Sequence, residues 1–139
     1  MEYKVYGDDI VLRLDPGDKI AESLLVLAEK ENIQAASVVG LGATDDVKFG
    51  IMDLNAKEYT EMHLKKPMEI TMFMGNLTRK DGEAYLYSHI NLGDVEGNVF
   101  GGHFHEGVIS VTAELFIHTV GGTVERVFDE KSGVNKMVF

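Results

Sequence analysis

Five histidines occur in this 139-residue chain, and three of them, His89, His103 and His105, fall between Tyr85 and Glu106. Imidazole is the side chain that titrates near neutral pH and is the commonest ligand of transition metals. His103 and His105 lie two residues apart, directly behind Gly101-Gly102. In an extended segment, positions i and i+2 share a face, so both rings point the same way. His89 belongs to an earlier alternating run in which Tyr85, Tyr87, His89 and Asn91 share one face. The Gly/Asp-rich stretch Leu92 to Asn98 joins the two runs, and a hairpin-like return would gather all three imidazoles. Three neutral imidazoles with one open position are the usual layout of a catalytic-type zinc site. Magnesium and calcium prefer oxygen ligands, so zinc suits this set better. The alternative is a histidine-lined pocket or interface without metal.

The neighbours extend the site. Gly101-Gly102 removes side chains just before the pair, letting a backbone or a ligand come close. Tyr85 and Tyr87 share the face of His89 and either line the pocket or pack within the strand. Two carboxylates are candidate general bases. Glu106 follows His105 and, by alternation, faces away unless Gly107 breaks the strand; otherwise it is a surface carboxylate near a turn. Glu114 would have to enter from a neighbouring strand or subunit. His63, beside Lys65-Lys66, reads as solvated, and His118 ends a strand before Gly121-Gly122. No Ser-His-Asp set stands out, and the absence of cysteine excludes disulfides and thiolate metal sites.

These residues need a sheet to hold them. Short β-type segments are expected at Lys4 to Tyr6 and at Ile10 to Leu14. Asp15-Pro16-Gly17-Asp18 reads as a helix start, with Asp15 as N-cap and Pro16 in the first turn. Ile20, Leu24, Leu27 and Ala28 then form an apolar stripe, widened by Leu25, which must pack on the sheet. Further strands are expected at Gln34 to Val39, Asp45 to Asp53, Glu58 to Leu64, Ile70 to Asn76 and Glu83 to Asn91. Gly40-Leu41-Gly42 reads as a bulge or sharp turn between strands. Val47, Phe49 and Ile51 are expected on one side of their strand, and Met72 and Met74 as core fillers. In Gly107 to His118, Ile109, Val111, Ala113, Leu115 and Ile117 make one apolar face. Val124 to Phe128 and Lys136 to Phe139 close the chain. Many strands with hairpin-length turns and one clear flanking helix make an α+β domain with a mostly antiparallel sheet. Its length fits a single domain over residues 1–139.

Composition narrows the function. An apolar content of 45% argues against disorder, and no apolar run is long enough to span a bilayer. The first five residues do not resemble a signal peptide, and together these facts fit the cytoplasm. Net charge is −10, from 13 Lys+Arg against 23 Asp+Glu, which makes DNA an unlikely partner. The pairs Lys65-Lys66 and Arg79-Lys80 read as solvated loops. The face of Ser110, Thr112, Glu114 and Phe116 is neither polar nor apolar throughout, as at a subunit contact or beneath a second helix or loop.

The run Gly101-Gly102-His103-Phe104-His105-Glu106-Gly107, followed by Ser110-Val111-Thr112-Ala113-Glu114, resembles the PPC domain (plant and prokaryote conserved domain), also called domain of unknown function 296. Gly17-Asp18 with Glu22-Ser23-Leu24, Val39-Gly40-Leu41-Gly42-Ala43, Pro67-Met68-Glu69-Ile70, Gly75-Asn76-Leu77 and His89-Ile90-Asn91-Leu92-Gly93-Asp94 extend the resemblance over nearly the whole chain. It implies a stand-alone prokaryotic-type domain that assembles as a homotrimer, with His89, His103 and His105 suited to zinc. Plant members carry AT-hooks, whose Arg-Gly-Arg core is missing from this sequence. The expected function is a trimeric binding or regulatory module with a His-built metal or small-ligand site near a subunit boundary. The alternatives are a metal-dependent enzyme using a zinc-bound water and a DNA-associated regulator, as family labels have it.

Overall fold

A computed structural model describes residues 1–53 and 55–139. Among them the elements run β1 (Glu2–Tyr6), β2 (Asp9–Leu14), α1 (Ile20–Lys30), β3 (Ala36–Asp53), β4 (Glu58–Leu64), β5 (Met68–Lys80), β6 (Glu83–Gly93), β7 (Val99–Thr119), β8 (Glu125–Asp129) and β9 (Val134–Val138). One sheet has the order β1-β2-β7-β3-β5-β8-β9, with β4 paired to β3 and β6 paired to both β5 and β7. Among the described residues every pairing is antiparallel except the single parallel bridge between Arg79 and Glu125. The pairs β7–β3, β3–β5, β5–β6 and β6–β7 form a closed ring, so the sheet curls back on itself.

The sheet's inner face packs on α1. Ile20, Leu24, Leu27 and Ala28 are buried, as their helical spacing requires. Burying each of the three larger side chains contributes about 1.5–3 kcal/mol. Phe49, Phe73 and Phe104 fill the interior beneath, with Phe73 and Phe104 edge to face at 5.1 Å. Truncating Leu24, which is fully buried, to Ala would cost roughly 2–5 kcal/mol. The tight turn at Asp81-Gly82, with φ of 53° and 84°, joins β5 to β6 as the Asp-Gly dipeptide predicts.

The helix start departs from the sequence reading, and so does Arg79 beside the other end. The helix starts at Ile20, not at Asp15, and its N-cap Lys19 makes no side-chain cap. The Glu106 carboxylate supplies the cap from β7, accepting the Ala21 amide at 3.1 Å. Asp18 instead accepts the Asp15 amide and pairs with the terminal ammonium at 2.7 Å. At the other end, Arg79 is buried rather than solvated. Its guanidinium donates to the carbonyls of Ala28 and Ile33 and pairs with Glu29 at 2.8 Å.

Register shifts decide three other expectations, bearing out the bulge at Gly40-Leu41-Gly42 and correcting the other two. β3 runs unbroken through Gly40-Leu41-Gly42, with a bulge there rather than a turn. A Cβ at Gly40 or Gly42 would strike the backbone of Glu114 or Thr112, so both glycines permit strand approach. A shift between Ile70 and Met72 turns Met72 and Met74 to the open face, 40% and 56% exposed, instead of the core. Ile51 and Val111 are likewise exposed, the latter beside a shift in the β3–β7 pairing.

Candidate functional site

Pairing of β6 with β7 sets His89 directly opposite His103. Their ring centroids lie 5.7 Å apart, and those of His103 and His105 lie 5.2 Å apart, both edge to face. The β3–β7 ladder steps from Lys48↔Glu106 to Phe49↔Phe104, leaving His105 as the extra residue of a bulge. Phe104 between the two histidines is buried in the core, and this anchors their rings on the other side. The structure therefore brings together all three predicted histidines.

Burial and like neighbours set the electrostatics of the central ring. Burial pushes the His103 pKa below the ordinary 6.5, and the neighbouring His105 and His89 push it further down. An imidazole held neutral keeps a lone pair free for a ligand. No carboxylate bonds to any of the three among the described residues. Among those residues, no three His, Cys, Asp or Glu side chains are placed, as they stand, to hold a metal ion.

Aromatic side chains surround the rings. Tyr87 lies 5.4 Å from His89 and 5.5 Å from His103. On its other neighbours' side stands Arg126 of β8, whose guanidinium lies 5.4 Å from the Tyr87 centroid and 5.0 Å from that of Tyr85. Arg126 is 6% exposed and donates to Thr78 Oγ1, Asn76 Oδ1 and the Asn135 carbonyl at 2.7–2.8 Å. All three acceptors are neutral. Tyr85 is held by this hairpin, accepting from Asn135, one step further from the histidines than Tyr87.

Tyr59 of β4 reaches the site from across β3. Its hydroxyl lies 2.5 Å from His105 Nε2, with the rings edge to face at 5.6 Å. Burial, then the negative charge of Glu61, raises the Tyr59 pKa, so the phenol keeps its proton. Sequence reasoning missed both Tyr59 and Arg126. Each arrives through long-range strand pairing, and neither carries a local signal beyond a place in a short strand.

The remaining candidates lie elsewhere. A Cβ at Gly101 would strike Asn91 and the Ile90 carbonyl, and one at Gly102 would strike the Gly50 carbonyl. The glycine pair thus lets β7 close on β6 and β3, and the Asn91 side chain fills the space over Gly101. Glu106 Oε1 is engaged at the start of α1 and with the Gly107 amide. Glu114 is exposed on β7 between Arg13 and Leu41. It lies nine residues beyond His105, about 30 Å along a strand rising ~3.3 Å per residue. His63 and His118 each bond an aspartate, Asp46 at 2.6 Å and Asp9 at 2.9 Å.

A model of the Plants and Prokaryotes Conserved (PCC) domain matches residues 1–121. The chain is similar to a metal-containing protein of Archaeoglobus fulgidus, 32% identical, with TM-score 0.88 over 99% of this chain and 97% of that one. It is similar also to a plant- and prokaryote-conserved (PPC) protein of Pyrococcus horikoshii, 31% identical, with TM-score 0.86 over 99% and 95%. A Bacteroides thetaiotaomicron protein named as a candidate DNA-binding protein shares the fold, with TM-score 0.95 over 99% and 96% at 21% identity. No curated protein matches the chain.

Proposed function

The chain belongs to the Plants and Prokaryotes Conserved domain family, and from that premise we propose that it is a homotrimeric binding module with a regulatory role, whose site is a histidine-held zinc. One observation carries the reading. Among the described residues, three imidazoles share one face without a carboxylate partner, and burial, then the like neighbours, disfavours charge on the central one. The donor set fits zinc in type, being all borderline nitrogen ligands. His89, His103 and His105 would hold it, and the 32%-identical Archaeoglobus fulgidus protein is a metal-containing one. When bound, zinc supplies a Lewis-acidic open position for a small ligand.

The chain's own residues do the rest. Tyr87, backed by the Arg126 guanidinium, walls the site beside His89 and His103. Glu106 caps α1, so within one subunit it serves the helix. The open sheet face supports self-association. Phe116, Val39 and Met74 are cross-strand neighbours in one row, all exposed, and the next residue in that row is His89. A contiguous apolar patch of this kind marks an interaction surface, and here it runs into the histidines. The net charge of −10 gives duplex binding no electrostatic support.

Elemental analysis of untagged protein, equilibrated with zinc at about pH 7.5, above the ordinary imidazole range, tests the reading. Stoichiometric zinc is expected in the native chain and none in the His89→Ala/His103→Ala/His105→Ala variant. Light scattering should give three times the chain mass of 15.4 kDa. A zinc-free native protein would sink the metal, and a stable monomer would sink the shared boundary.

A further inference from the structure

The contact between Tyr59 and His105 occupies a nitrogen that a metal would need. We propose that Tyr59 is a built-in competitor for the histidine site: its phenol holds His105 in the metal-free chain, and a divalent transition cation binds by displacing it. This rests on the zinc reading above and adds a gate to it.

Three observations support the gate. The hydroxyl sits 2.5 Å from His105 Nε2, so that nitrogen is engaged whichever partner donates. With the phenol donating, Nδ1 carries the ring proton, and neither nitrogen then offers a free lone pair. The path is also purpose-shaped. A Cβ on Gly50 would fall on the Tyr59 hydroxyl and ring, so only glycine at this position lets the phenol cross β3 to β7. Finally, the gate can open. Among the described residues β4 pairs with β3 alone, and Tyr59 is 44% exposed, so the displaced ring has solvent to move into.

The cost of displacement is that of one hydrogen bond to a neutral partner, which corresponds to roughly two- to tenfold in affinity. Zinc dissociation constants, measured by competition with a chromophoric chelator, test this in the native chain, Tyr59→Phe and Gly50→Ala. Tyr59→Phe deletes the hydroxyl, whereas Gly50→Ala pushes the intact phenol aside. Both should bind zinc more tightly by roughly two- to tenfold, while His118→Ala should match the native chain. Equal or weaker binding by Tyr59→Phe overturns the gate while leaving the zinc reading intact; weaker binding would make the phenol a supporter of the metal. Absence of zinc from all chains rejects the zinc reading and the gate together. Imidazole nitrogen spectra of the metal-free protein give a second readout. The His105 signals should change between the native chain and Tyr59→Phe, and identical signals would also overturn the proposal.

Discussion

His118 and His89 both sit on strands of one sheet, and each is defined by the residue across the ladder. His118 faces Asp9 and bonds it at 2.9 Å, whereas His89 faces His103. His63 repeats the first case diagonally, bonding Asp46, and His105 repeats the second beside His103. In the first pair the histidine is spent on a carboxylate. The Asp46 carboxyl falls below its ordinary range chiefly because His63 bonds it. In the second group, burial and like neighbours disfavour charge on His103. One residue type thus serves as a surface tie in one place and as a cluster of facing imidazoles in another. Cross-strand company decides which, not the residue itself.

The largest expected effect separates the groups by zinc. Replacing His89, His103 or His105 singly by Ala should weaken zinc by more than about 100-fold, beyond the loss expected for an outer partner. His63→Ala and His118→Ala should retain full zinc by elemental analysis. Zinc loss from either surface variant would erase the comparison.

The pH axis should separate them next. The native His103 pKa lies below 6.5, so in the metal-free chain the unfolded state binds more protons as pH falls through that value. Stability is then full above about pH 6.5 and falls through the lower native value, and His103→Gln should remove this step. Asp46 works in a lower window. Its depressed pKa adds stability above 3.8 that is lost only as pH falls through its native value. His63→Gln should shrink this second step and leave the first, because Lys65 still holds Asp46 down. Urea titrations at a series of pH values read both. With zinc present, metal should leave as pH falls below the ordinary imidazole range, because the ligands must be unprotonated.

The smallest effect is the removal of a surface tie. His118→Ala should change stability by about 0–1 kcal/mol in urea melts, as exposed pairs do. A larger loss would mean that the Asp9–His118 contact is more than a surface pair.

Much of this arrangement is legible in the sequence. The period of two puts His103 and His105 on one face because Phe104 between them must be buried, and Tyr87-Ser88-His89 repeats the logic on β6. The helix stripe Ile20, Leu24, Leu27 and Ala28 is equally local. What alternation cannot reach is a change of phase. The shift between Ile70 and Met72 moves two methionines out of the core, and that near Val111 exposes a residue in an otherwise apolar run. Nor does a local pattern disclose partners far along the chain. Glu106 caps a helix 85 residues away, Tyr59 meets His105 across 46 residues, and Arg126 finds Thr78 across 48. The acidic character of Glu106 and the basic character of Arg79 were visible, but their destinations were not.

β7 carries 21 residues and is bonded to β2, β3 and β6, so it is a rib shared by most of the sheet. Two of the three histidines ride on it. Small ligand sites often sit on segments that open on their own, and occupancy then protects only that segment. Here His103 cannot leave its place without breaking ladders on both sides of the rib. Occupancy of the histidines is therefore coupled to unfolding of the whole domain. Amide hydrogens of β3, β6 and β7 should slow together when the site fills, as one cooperative block.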